Sequence, residues 1–135
     1  MEPKEARLST QEQPDIDTTG DMFHAAETAW LELIAGDDME LLESLRKNLD
    51  SGQQRLSEDG DTPLVQLLIR RVTLCEIQTL FADATYASCQ DVSLPQAKFL
   101  LSRQRTMHQR LLQAIKALAM VRRLVRRSAL PTKSA

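Results

Sequence analysis

Aromatic side chains are scarce in this chain: three Phe, one Trp and one Tyr make up 4% of 135 residues. With 42% apolar residues overall, the core has to be built from Leu, Ile, Val, Ala and Met. That palette suits helix packing better than sheets. Glycine is also sparse. All four lie at or before Gly60, and the 75 residues that follow have none. Hairpin turns usually need positive φ, so this long glycine-free half is hard to build from strands.

Long apolar runs are missing as well. The longest, Ala117 to Val121, is far too short to span a bilayer. The first 21 residues hold Lys4 and Arg7 among six acidic groups and have no apolar stretch of secretory type. The expected compartment is the cytoplasm, with no membrane partner. Only two cysteines occur, Cys75 and Cys89, 14 residues apart on one expected helix. That separation is about 21 Å along the axis, beyond the ~7 Å that a disulfide tolerates. They read as reduced small hydrophobes.

Catalytic patterns are absent too. The chain has no Gly-rich phosphate loop and no nucleophile elbow. Of the two histidines, His24 stands one turn from Glu27, half of a metal site with no second His-containing half nearby. His108, beside Met107, reads as a packed or partly exposed helix residue. Asp37, Asp38, Glu40 and Glu43 read as a helix-start cluster favoured by the dipole, not as paired catalytic carboxylates. No enzyme, metal or cofactor is expected.

What is present is helical periodicity. Residues 1–20 are polar, hold two prolines and have little to bury, so a disordered tail is expected. Met22, Phe23, Ala26, Trp30, Leu33 and Ile34 share one helical face, and Gly36 stops that helix (21–35). Asp37 or Asp38 caps a second helix (38–57) with the stripe Leu42, Leu45, Leu49 and Leu56. Gly52 falls in that stripe and either ends the helix or admits a close neighbour.

Thr62-Pro63 opens a third helix (63–89), about 40 Å long, whose apolar face is wide enough for more than one partner. Ser93 with Gln96 forms a capping box for a fourth (94–127). Its stripe runs Leu100, Gln104, Met107, Leu111, Ala114, Leu118, Val121 and Val125. The short connector makes the last two helices an antiparallel, coiled-coil-like hairpin. The expected fold is therefore all-α: a disordered tail (1–20), two shorter helices, a long hairpin resembling part of a four-helix bundle, and a frayed tail (128–135). Either the two short helices complete the bundle or a second copy does.

Charge is strongly segregated. The net charge is −2, yet residues 1–60 hold 5 basic and 15 acidic groups, and residues 61–135 hold 12 basic and 4 acidic ones. Lys98 to Arg127 contains nine basic residues and no acidic one. At about 100° per residue, Lys98, Arg105, Lys116, Arg123 and Arg127 fall on one ridge opposite the packing stripe. One reading is a solvated face aided by the helix dipole. The sharper reading is a phosphate-binding ridge about 45 Å long. With only Phe99 for stacking and no Asn on the ridge, nucleic acid would be bound with little sequence specificity.

The segments Trp30 to Asp37, Leu67 to Val72 and Ala119 to Leu124 resemble a group of uncharacterised small helical bacterial proteins. The resemblance covers residues 28–126. It implies a helical architecture and carries no activity and no site residues. The leading functional expectation is a non-enzymatic helical interaction or assembly protein that associates with itself or with a protein partner. The alternative is a small accessory nucleic-acid-binding protein.

Overall fold

The computed structural model describes residues 21–129. The expected disordered tail (1–20) and most of the expected frayed tail (130–135) lie outside the described residues. Four helices follow in order: α1 (Met22–Ala35), α2 (Met39–Leu56), α3 (Pro63–Ser88) and α4 (Leu94–Ala129). No strand occurs among the described residues. The fold is all-α and bundle-like.

Local chemistry sets the helix ends. Asp21 accepts from the His24 amide and Asp38 from the Leu41 amide, each at 3.0 Å, so both stand outside their helices as caps. Thr62 caps α3 through the Val65 amide at 3.3 Å, with Pro63 at a position that needs no donor. Ser93 and Gln96 form the reciprocal capping box, at 3.1 and 3.4 Å. Gly36 turns the chain between α1 and α2 at φ 57°, where its missing Cβ removes the steric cost. One boundary differs from expectation. Ser128 and Ala129 belong to α4 and not to a frayed tail.

α3 is the middle layer. The hairpin core joins Val65, Ile69, Val72 and Cys75 of α3 to Ala114 and Leu118 of α4, with Leu68, Leu111, Val121 and Val125 at its edge. Thr79, in the same stripe, donates to the Cys75 carbonyl at 2.7 Å and bridges to the Met107 carbonyl at 3.1 Å. The other side of α3, through Arg70, Thr73 and Ile77, meets α1 and α2. Gly52 settles its role there. It is buried within α2, and an added Cβ would meet the Thr73 methyl at 3.3 Å, so glycine lets α2 lie close on α3. The apolar face of α3 is thus covered from two sides, while Leu64, Leu67 and Leu80 of the same helix stay exposed. The two short helices neither wrap α4 nor contact it, apart from Leu56 at the end of α2.

Candidate interaction surface

That layering leaves α4 with a single helical neighbour. It holds 36 residues, about 54 Å of helix, and only Met107, Ala114 and Leu118 are buried. The rest of the helix is not uniformly polar. Leu101, Leu112 and Ile115 stand exposed along one flank, each with more than 40% of its surface in solvent. Phe99, Met120 and Leu124 are exposed on the other flank. Both flanks of α4 thus carry large apolar side chains in solvent.

Eight of the nine basic residues of α4 separate into two groups, and Arg110, which is exposed, stands apart from both. Arg103, Arg122 and Arg126 have partners within the chain. Arg103 lies over the Phe81 ring, 5.7 Å from its centroid. Arg122 donates to the Leu56 carbonyl and meets Asp61 at 3.1 Å, while Arg126 meets Glu58 at 2.8 Å. The loop before α3 therefore clips onto the last turns of α4. The Glu58 amide, and then Arg122, hold the Asp61 carboxyl below the usual aspartate range.

The second group is the ridge. Lys98, Arg105, Lys116, Arg123 and Arg127 are all exposed, and among the described residues no carboxylate lies within 4 Å of any of them. All five positions picked from the sequence share one outward face of one helix. The acidic layer does not neutralise them by contact, because it sits across α3. Near the carboxyl end of α4, the apolar Ile115, Leu118 and Ala119, the basic Arg122, Arg123, Arg126 and Arg127, and the carboxylate of Glu58 line an open groove of about 560 Å³. The exposed apolar flank lies outside the single stripe expected for α4. The signal was there as Leu112, Ile115 and Ala119 at spacings of 3 and 4, about 100° from the seam.

The opposite layer carries the complementary sign. Glu32, Asp37, Asp38, Glu40, Glu43 and Asp50 are exposed on α1, α2 and their turn. Exposed apolar residues stand among them, including Met22, Leu33 and Met39. Met22, Ala26, Ala29 and Leu33 recur at 4, 3, 4 and are all exposed, so α1 also has an uncovered stripe.

Glu27 has a different fate from the half metal site considered above. It is 2% exposed and lies where three helices meet. Arg70 of α3 bonds both its oxygens, at 3.0 and 3.3 Å; Gln53 of α2 donates at 3.3 Å, and Arg46 of α2 stands at 3.7 Å. Arg70 also reaches Asp21 at 3.0 Å and lies over the Phe23 ring, 4.9 Å from its centroid. The His24 amide, and then Arg70, depress the Asp21 carboxyl. This is a structural clamp, and residues 26 and 43 positions apart in sequence gave no spacing by which to find it.

Remaining candidates fall away. Among the described residues, no group of three or more His, Cys, Asp or Glu could hold a metal ion. Cys75 is buried, which raises its thiol pKa, and Cys89 is half-buried at the end of α3; both are free. His108 is exposed beside Leu101 and Arg105. A cleft of about 410 Å³ beside α2 and α3 is lined by the apolar Ile34, Leu45, Ile77, Leu80, Phe81 and Ala84 and by the polar Asn48, Ser51, Arg55 and Glu76. Among the described residues, no helix is long and apolar enough to cross a membrane. No family model, curated protein or solved structure matches the chain.

Proposed function

We propose that this chain is a non-enzymatic assembly protein of the cytoplasm whose α4 is a docking helix. One observation carries the reading: α4 has a single helical neighbour and leaves Leu101, Leu112 and Ile115 in solvent along a flank next to its basic ridge. An isolated monomer gains nothing from that arrangement, since each such side chain would be worth about 1.5–3 kcal/mol if fully buried. Covering this flank supplies the driving force, and the ridge selects the sign of the partner.

A photoreactive amino acid at Ile115, introduced into the chain in its own host cells, tests this. A discrete protein adduct that disappears with Leu112→Glu is expected. Absence of any protein adduct, with the chain folded and abundant, overturns the reading.

The exposure of all five ridge residues, with no carboxylate beside them, favours a second reading in which the ridge binds phosphates. Five phosphate contacts would make the affinity for duplex DNA fall with a log–log salt slope of about −4.5. Binding of DNA and heparin across a salt series, by the chain and by Arg105→Glu with Lys116→Glu and Arg123→Glu, measures this. A flat salt response, or equal binding by the triple variant, removes the phosphate reading.

A further inference from the structure

The partner of α4 can be narrowed further, on the assembly reading just given. A second α4 is excluded by charge. The helix carries nine basic residues and no acidic one, so pairing two copies of it would bring like charges together along the whole contact. The occupant must be helical, apolar along one stripe and acidic around it.

The chain itself holds such a surface. Residues 21–61 carry 11 acidic and 3 basic groups. On their outer side, Met22, Ala26, Ala29 and Leu33 form an exposed stripe, with Glu32, Asp37, Glu40 and Glu43 exposed beside or beyond it. Small residues at the centre of that stripe let a second helix approach closely, as Gly52 lets α2 approach α3.

We infer that α4 of one copy is covered by the acidic outer face of α1 and α2 of a second copy. The two faces lie on opposite sides of α3, so one copy cannot satisfy both of its own surfaces. The contact is heterologous, between different patches on the two chains, and it propagates head to tail until it closes a ring or ends as an open stack. Each added copy gives α4 the second layer that α3 already has. The interface weakens with salt because its specificity is electrostatic.

Sedimentation of the purified, nucleic-acid-free chain tests this with two charge-reversed variants. One carries Arg105→Glu, Lys116→Glu and Arg123→Glu; the other carries Glu32→Lys, Glu40→Lys and Glu43→Lys. All six positions are exposed, and circular dichroism checks that each variant keeps its helicity. The wild-type chain should sediment as multiples of 15.2 kDa at low salt and shift toward the monomer at high salt. Each variant alone should be monomeric, and an equimolar mixture should associate again, because each then offers the other a face of opposite sign. A wild-type chain that stays monomeric at low salt overturns the inference, as does association that either variant leaves intact. If Ile115 meanwhile cross-links to a different protein, only the self-assembly inference fails; if it cross-links to no protein, the assembly reading fails with it.

Discussion

Removal of the Glu27 carboxylate should be the most damaging single change in the first half of the chain. Its side chain is 3% exposed, and two guanidinium groups and an amide converge on it from two other helices. Glu27→Ala leaves Arg70 and Arg46 without their central acceptor and opens a void between α1, α2 and α3. Deleting one member of a buried ion pair costs about 3–5 kcal/mol. Here the arginines are about a quarter exposed and can regain water, and Arg70 keeps Asp21 at 3.0 Å, so the lower end applies. Unfolding entropy of about 2.1 cal/mol/K per residue over roughly 110 residues converts ~3 kcal/mol into a fall of about 13 °C in Tm. Thermal melts followed at 222 nm, with urea titrations to check that the m-value is unchanged, read this directly. Arg70→Ala in the Glu27→Ala background should cost less than it does alone, since its main partner is already gone. A Tm change under about 3 °C, or strict additivity of the two substitutions, would refute the clamp.

Three further outcomes follow from particular contacts. Gly52→Ala on its own presses a methyl against Thr73, but in a Thr73→Ser background the obstructing methyl is gone; there Gly52→Ala should raise stability by roughly 0.5–1 kcal/mol, measured by urea unfolding. A thiol reagent should label Cys89 rapidly and Cys75 only on the timescale of unfolding, because burial shields Cys75 and raises its pKa; two equally fast thiols in the native protein would contradict the packing of α3. Asp21 and Asp61 both have depressed carboxyl pKa values, so each contributes stability above its unfolded pKa that is lost as pH falls through the lower, folded one. Wild type should therefore lose Tm below about pH 4 more steeply than Asp21→Asn with Asp61→Asn, and parallel pH profiles would show that these ion pairs do not stabilise the fold.

The helices were legible because their signals are local. Thr62-Pro63, Ser93 with Gln96, and Gly36 each act within one turn, and the α4 stripe from Leu100 to Val125 reports a face that a neighbour covers along nearly its whole length. The ridge was legible for the same reason, since positions on one helix are related by fixed rotation. Layer order was not. Whether α1 and α2 cover α4 or the far side of α3 depends on contacts such as Gly52 on Thr73 and Glu27 on Arg70, which join distant positions. Gly52 was ambiguous for that reason: a buried glycine in mid-helix and a glycine ending a helix look alike until the neighbour is known. The width of the α3 apolar face announced two partners without saying which side each would take.

The layering gives the charge segregation its consequence. Had α1 and α2 packed on α4, the acidic and basic halves would have neutralised each other within one molecule. Instead α3, with Glu76 and Asp83 as its only acidic residues, separates them. Among the described residues, Arg70 of α3 pairs with Asp21 and Glu27, and the ion pairs of α4 are those of Glu58 and Asp61 with Arg122 and Arg126 at one end of it. The remaining acid and base face outward in opposite directions, each beside exposed apolar side chains. Repulsion within each layer destabilises the isolated chain, and contact with a surface of the other sign relieves it. A test separates this from an inert solvated surface. High salt screens like-charge repulsion, so it should raise the Tm of a monomeric variant such as Glu32→Lys with Glu40→Lys and Glu43→Lys, whose basic ridge is intact, while it lowers the apparent mass of the wild-type chain. A variant Tm that is indifferent to salt would mean that the ridge is dilute enough to be solvated at no cost, and the electrostatic argument for a partner would lose its force.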